Sequence, residues 1–294
     1  MIKIMFVEPP KDYWFVMGEY LPPPYGILQL AAYLENKMED VDIEVLDCQA
    51  LSLDWKGLEK RVMSFNPDIV ASSGFATCNV YVAARTLETV KKLNPDVLAV
   101  TGGQHFTAMA QESLEAYPEI DVIVRGEGEE TLVELAKAVH EKTSFSRIRG
   151  ISFRRRNKIL HNPSRPLIED LNMLPFPGYH FVKQCAHRYH FSMMAGPKAK
   201  YGMVEASRGC PHRCTFCSQW KHWEGTWRHK SVKRVVEEME FLYSNYGSRL
   251  LWLADDNFGL DQRMEDLCDE LAKRGFSDDI TCFMQARCDD VVRN

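Results

Sequence analysis

Long apolar runs are missing from this sequence. No stretch of its 294 residues approaches the about 18 uninterrupted apolar positions of a membrane-spanning helix, so no membrane span is expected. The N-terminal run from Met1 to Val7 is too short for a signal peptide, and Glu8 ends it. Positive charge is also scarce: 36 lysines and arginines face 41 acidic residues, for a formal net charge of −5. That leaves no basic excess, and no nucleic-acid partner is expected. No G-x-G-x-x-G follows the first apolar run, so a nucleotide fingerprint is unsupported. Internal repeats and low-complexity tracts are absent. Cysteine, by contrast, is plentiful, but nine is an odd count for a secreted disulfide scaffold. With no signal sequence, reduced thiols in a cytoplasm are the expected state. The length suits about two ordinary domains.

From Met1 to about Lys142, short apolar runs alternate with helical patterns. The strand candidates are Ile2–Val7, Ile43–Asp47, Ile69–Ser73, Leu98–Thr101 and Val122–Arg125. Amphipathic stretches lie near Ile27–Asn36, Trp55–Phe65, Tyr81–Leu93, Ala108–Ala116 and Thr131–Glu141. Such alternation predicts an α/β fold, a parallel sheet with helices on both faces. Five strands suit the flavodoxin-like order, whose ligand crevice lies at the carboxyl ends of the strands. The loops predicted there are Glu8-Pro9-Pro10, Ser72-Ser73-Gly74-Phe75, Thr101-Gly102-Gly103-Gln104-His105 and Arg125-Gly126-Glu127-Gly128-Glu129. Taken singly, each is an ordinary turn or cap, because glycine and serine are default turn residues. Four on one edge point to a ligand site, where glycine lets a ligand approach the backbone and hydroxyls and helix N-termini donate.

Gly150–Leu160 reads as a hairpin turning at Arg156-Asn157, with the basic run Arg154–Arg156 as a solvated turn. Prolines from Pro163 to Pro177 mark an extended connector. The expected division is therefore a domain over 1–145, a hairpin and linker over 146–198, and a second domain over 199–294. In that last part, Tyr201–Ser207, Leu250–Ala254 and Ile280–Ala286 read as strands, and Ser231–Tyr246 and Asp261–Arg274 as helices. This βαβαβ order opens like a barrel with its chemistry at the carboxyl ends.

Between the first of these strands and the first helix stands Cys210-Pro211-His212-Arg213-Cys214-Thr215-Phe216-Cys217. A cubane iron–sulfur cluster has four irons, each wanting a terminal ligand. Three thiolates leave one iron free to bind something else. His212 and His222 nearby raise a zinc alternative, which paired C-x2–4-C elements would favour and a lone one does not.

The cysteine loop, with Phe216 before its last member, resembles that of the radical S-adenosylmethionine (SAM) enzymes. The first half resembles the cobalamin-binding domain fused ahead of the radical core in one large subgroup. That likeness rests on Pro22-Pro23-Pro24-Tyr25-Gly26-Ile27-Leu28, Gly102-Gly103-Gln104-His105, Val124-Arg125-Gly126-Glu127-Gly128-Glu129 and Leu174-Pro175-Phe176-Pro177. The resemblance implies a flavodoxin-like (Rossmann-like) cobalamin-binding domain, then the first three βα units of a TIM-type barrel. It implies a 4Fe–4S cluster on Cys210, Cys214 and Cys217, with SAM chelating the fourth iron and Phe216 at the adenine. Asp255, Asp256 and Asn257 would offer acceptors to the SAM amino group. Arg287 would reach the SAM carboxylate or the substrate, or simply stand exposed. Ser72, Ser73, Gly102, Gly103, Gln104, His105, Gly126 and Glu127 would line the cobalamin.

The activity implied is C-methylation of an unactivated carbon, with a ferredoxin or flavodoxin as electron donor and a small molecule or protein as substrate. Anaerobic oxidative cyclisation of a magnesium-porphyrin ester, and a cofactor-binding module without turnover, remain open beside it. Two departures stand out. No Asp-x-His-x-x-Gly run occurs, so no histidine is expected below the cobalt. The family's barrel has about six βα units and this sequence supplies three, so a fragment or a truncated homologue is expected. Cys48, Cys78, Cys185, Cys268, Cys282 and Cys288 lack ligand spacing and read as small apolar residues. A second cluster on Cys48 and Cys78, as methylthiotransferases carry on three cysteines, lacks its third ligand. Trp220, Trp223 and Trp227 either shield the cluster or pack elsewhere.

Overall fold

A computed structural model describes residues 1–10, 20–74, 76–156, 158–192, 200–258 and 262–293. Phe75, Asn157 and Asp261, named above, lie outside these residues, as does 193–198 of the expected linker. The chain forms two compact units. The first is built on the N-terminal strand, Gly26–Leu167 and Pro177–Lys183; the second on Ile168–Phe176 and the chain from Gln184 onward, with a short segment ending at Tyr25. The proline-rich connector is thus divided between the two.

In the first unit the strands are β1 (Ile2–Glu8), β3 (Val41–Asp47), β4 (Ile69–Ser73), β5 (Leu98–Gly102), β6 (Val122–Val124), β7 (Ile151–Arg155) and β8 (Lys158–His161). They form one seven-stranded sheet in the order β3-β1-β4-β5-β6-β7-β8. The first five run parallel in the flavodoxin-like order, and the order reverses at β1, which pairs with both β3 and β4. Its strands are near-continuous apolar runs because both faces are covered. Met5, Val7, Leu46, Val70, Ala99 and Ile123 bury against Leu58 and Val62 of α2 (Trp55–Phe65) and Ala83, Leu87 and Val90 of α3 (Val80–Leu93). Buried Leu28, Ala31 and Leu34 come from α1 (Tyr25–Lys37), and Leu132, Leu135 and Ala136 from α6 (Glu129–His140).

Two details differ from the sequence expectation. The helix expected near Ala108–Ala116 is α5 (Ala110–Ala116), but the loop expected through Gln104-His105 opens a further short helix, α4 (Gln104–Ala108), set apart from α5 at Met109, whose φ of −120° is not helical. The hairpin of β7 and β8 is not a free connector: β7 pairs antiparallel with β6 and extends the sheet. Arg125 fastens it, donating from Nη2 to the carbonyls of Ile151 and Asn162.

The second unit carries three parallel strands, β10 (Tyr201–Val204), β13 (Leu250–Leu253) and β14 (Thr281–Met284), in that order. The helices Val232–Tyr246 and Gln262–Arg274 connect them. Gly202 lets one helix close on the sheet, since a Cβ there would lie 3.0 Å from a Leu242 methyl. On the opposite face Trp252 and Phe283 stack with centroids 5.3 Å apart. Phe191 packs on Phe283 from a two-stranded ribbon of β2 (Tyr20–Leu21) and β9 (His190–Phe191). The strand expected over Tyr201–Ser207 stops at Val204. Ser207–Gly209 is a separate strand, β11, paired antiparallel with β12 (Trp227–His229). Among the described residues no helix is long and apolar enough to cross a membrane.

Candidate functional site

The loop bearing the three cysteines springs from the β11–β12 hairpin. Gly209 makes the exit possible: its φ is +94°, and a Cβ there would stand 2.3 Å from the Thr226 carbonyl oxygen. Cys210, Cys214 and Cys217 follow as half-buried free thiols. The Cys217 amide donates to the Cys214 carbonyl at 3.1 Å, and the Gln219 amide donates to Cys217 Sγ at 3.4 Å. Arg287 Nη1 donates to Cys214 Sγ at 3.5 Å. Burial pushes the Cys210 thiol up, the His212 backbone amide opposes this, and Asp256, Cys214 and Cys217 add to the rise by charge repulsion. The three sulfurs therefore share one electrostatic neighbourhood.

Among the described residues no three His, Cys, Asp or Glu side chains converge on a single ion. In a cubane each thiolate binds a different iron, so the sulfurs stand farther apart than ligands of one ion. This donor set fits a multi-iron cluster.

The surroundings sort the other candidates. Phe216 is 91% exposed beside Cys217. Asp255 is buried, and its carboxylate accepts from the amides of Ala206 (2.8 Å) and Ser207 (3.0 Å) and from Ser207 Oγ (2.7 Å). Burial pushes that carboxyl up to about 6 despite these bonds. Asp256 accepts from the Trp223 indole at 2.9 Å, and burial raises it as well. The Asn257 carboxamide oxygen is buried with no hydrogen-bond partner among the described residues. Such an orphan acceptor costs stability unless a donor meets it. Arg287 lies against Asp289, with Nε–Oδ1 at 2.8 Å and Nη2–Oδ2 at 2.9 Å, which raises its affinity for the proton. Trp220 lies between the cations of Arg213 and Lys221, at 5.7 and 5.5 Å from its ring.

In the first unit, the register aligns Glu8 with Asp47, Ser72 with Thr101, and Gly102 with Val124 along one carboxyl edge. The Ser72 hydroxyl donates to the Val7 carbonyl at 3.1 Å, and Thr101 Oγ1 donates to the Ser72 carbonyl at 2.7 Å. Those two hydroxyls brace β1, β4 and β5. Gly103, with φ +97°, passes so close to Gly74 that a Cβ would sit 2.8 Å from its oxygen and 3.2 Å from Ser73 Oγ. His105 Nδ1 and Thr77 Oγ1 lie 3.1 Å apart in the first turn of α4. The Gly126 amide donates to Thr107 Oγ1 at 3.0 Å, with open space where its Cβ would be. Glu127 is buried beside it. All eight positions proposed for this edge therefore gather on it.

Sequence reasoning named Glu8 only as part of a loop. Burial, with the neighbouring Asp47 charge, pushes its carboxyl up to about 8, while Gln49 Nε2 donates to its Oε1 at 3.1 Å. Its folded pKa lies above the unfolded value, so the native state holds the extra proton between the two. The contribution of this group to stability is therefore greatest below about pH 4.5 and declines as pH rises towards 8. Glu8→Gln flattens this part of the stability–pH profile, read by urea denaturation from pH 5 to 9; an unchanged slope would contradict the assignment.

Comparison with known proteins matches both units. A model of the B12 binding domain matches residues 17–136, and a model of the radical SAM superfamily matches residues 204–290. An uncharacterised methyltransferase of Pyrococcus horikoshii is 32% identical over 265 residues, covering 90% of this chain and 55% of that protein. The anaerobic magnesium-protoporphyrin IX monomethyl ester cyclase of Cereibacter sphaeroides is 32% identical over 277 residues, covering 92% of this chain and 44% of the cyclase. The chain thus spans about half the length of these relatives. Among solved structures, that of the cobalamin-dependent SAM radical enzyme OxsB, with aqua-cobalamin and SAM bound, superposes with a TM-score of 0.76. It is 22% identical, and the match covers 99% of this chain and 39% of OxsB, a likeness of fold.

Proposed function

Because this chain belongs to the proteins that join a B12-binding domain to a radical SAM domain, we propose that it acts in C-methylation of an unactivated carbon, using a 4Fe–4S cluster, SAM and cobalamin. The observation that carries this reading is the loop of three free, half-buried cysteines that leaves the β11–β12 hairpin at Gly209. With the three groups bound, the chemistry supplied is reductive cleavage of SAM and transfer of a methyl group.

Cys210, Cys214 and Cys217 hold the cluster. Exposed Phe216 offers its ring to the adenine. The unpaired oxygen of Asn257 accepts from the SAM ammonium, which supplies the donor that this buried atom lacks. The indole–Asp256 bond keeps Trp223 turned toward the same strand end. Arg287 keeps one guanidinium nitrogen on Cys214 while Asp289 fixes its plane, so it serves the cluster loop before any substrate. Along the first unit's edge, Ser73, Gly102, Gly103, Gln104, His105, Gly126 and Glu127 form the cobalamin side, with Ser72 bracing the strands beneath. The thiols need a reducing cytoplasm, and a ferredoxin or flavodoxin supplies the electron.

The equal identity to a magnesium-porphyrin ester cyclase supports a second reading, oxidative cyclisation. Anaerobically reconstituted protein is incubated with cobalamin, dithionite and SAM labelled in its methyl group. One arm adds a small-molecule extract of the source cells, the other magnesium-protoporphyrin IX monomethyl ester. We expect 5′-deoxyadenosine and a labelled extract product. Porphyrin consumed without label would replace methyl transfer by cyclisation. A cluster-loaded protein that cleaves no SAM in either arm would reduce the chain to a binding module.

A further inference from the structure

The sequence reading gave Asp255 to SAM, but its hydrogen bonds point elsewhere. The first stem of the cysteine hairpin bonds it directly, and the second reaches it through Ser207. In the first stem, the amides of Ala206 and Ser207 and the Ser207 hydroxyl all donate to its two carboxylate oxygens. Ser207 Oγ in turn accepts from the indole nitrogen of Trp227, in the second stem, at 3.1 Å. Asp255 and Ser207 are each 2% exposed, so water does not compete for these bonds. A carboxylate accepts about four hydrogen bonds at most, and three are already taken.

The stems are fastened a second time by Arg263. Its Nη1 donates to the Lys230 carbonyl at 2.7 Å and its Nη2 to the Ala206 carbonyl at 3.1 Å, while the Lys230 amide donates to Ala206 at 2.9 Å. Trp223, on the returning side of the loop, is held by Asp256. A strand end of the parallel sheet and the helix after it thereby grip the hairpin that presents Cys210, Cys214 and Cys217.

We infer that Asp255, Ser207 and Trp227 are positioning residues that set the stems of the cysteine hairpin, and that Asp255 is not a SAM ligand. The inference rests on the reading of the three cysteines as a cluster site. The rigid strand end fixes where Gly209 leaves the hairpin, and hence where Cys210 begins. Loosening the clasp lets the thiolates drift from their irons, and it does so before SAM binds.

The test uses Asp255→Asn, Trp227→Phe and the double variant, reconstituted anaerobically without SAM. Iron and sulfide per chain, the rate of iron loss to a chelator and the EPR signal of the reduced cluster are measured, with melting of the cluster-free proteins and SAM affinity beside them. Trp227→Phe removes one N–H and keeps an aromatic ring. Each single variant should lose iron about tenfold faster than the wild type, the factor that one buried hydrogen bond is worth. The double variant should lose it scarcely faster than Asp255→Asn, because Ser207 relays both. Melting of the cluster-free Trp227→Phe chain should stay close to wild type. Wild-type iron retention and EPR with weakened SAM affinity alone would overturn the inference and return Asp255 to SAM. So would iron loss that only tracks unfolding of the cluster-free chain. If Asp255→Asn does not fold, Trp227→Phe carries the test. A wild-type chain that takes up no cluster would instead sink the functional reading.

Discussion

Cys214→Ala, reconstituted with iron and sulfide, folds as the wild type does and takes up no stable 4Fe–4S cluster. The cost to the fold is small because Cys214 is half-buried and its thiol accepts one long bond, from Arg287 at 3.5 Å. The cost to the cluster is large because each thiolate terminates a different iron, so two remaining thiols leave half the cubane without protein ligands. The charge-transfer absorbance and 5′-deoxyadenosine formation should both vanish while the far-ultraviolet circular dichroism is unchanged. Cys268→Ala is the control: that exposed thiol stands outside the loop, and its loss should leave the cluster intact. Cys214→Ala protein that holds iron at the wild-type stoichiometry would remove the foundation of the proposed function.

Lys230→Met should destabilise the chain by about 3 kcal/mol or more, the usual consequence of orphaning a buried charge. The Lys230 side chain is 0% exposed, and its Nζ lies 2.8 and 3.0 Å from the two carboxylate oxygens of Glu238, itself 3% exposed. Arg234 Nε also reaches Glu238, at 3.0 Å, and its Nη2 donates to the Leu174 carbonyl at 2.7 Å. Arg234 remains as a partner for Glu238 after the substitution, so the loss belongs at the lower end of the range for broken buried pairs. Lys230→Met combined with Glu238→Leu should recover most of it, because the one charge then left without its carboxylate, Arg234, is 20% exposed and keeps its bond to the Leu174 carbonyl. Chemical denaturation of the three proteins at neutral pH reads both effects. A single variant within 1 kcal/mol of wild type would show that water reaches the pair. Lys230 directly follows β12, so this pair also seats the second stem of the cysteine hairpin on the helix Val232–Tyr246.

Much of this was legible before any coordinates. The five parallel strands and their helices announce themselves because hydrophobic periodicity is local, and a sheet buried on both faces writes itself as short apolar runs. The ligand edge followed from fold order, since strand-end loops of a parallel sheet share one side. The cysteine loop was legible because its three cysteines lie within eight residues of one another. Other features were read amiss for equally physical reasons. Ser207 looked like the end of a strand, and nothing in Tyr201–Ser207 signals that the chain leaves the sheet after Val204 to pair with Trp227–His229. Gln104-His105 looked like loop, and His105, Phe106 and Thr107 rank low enough in helix propensity that nothing local announces α4.

The sequence by itself determined the two domain types and the three thiols, because periodicity and contiguous spacing act over a few residues. Only the tertiary structure decided which partners the polar groups around the cysteine loop meet. Asp255 meets Ser207 across 48 residues, Arg263 meets Ala206 across 57, and Arg287 meets Cys214 across 73. No local rule couples positions so far apart. They meet because parallel strands bring their carboxyl ends to one edge, and burial there forces every donor and acceptor to find a partner.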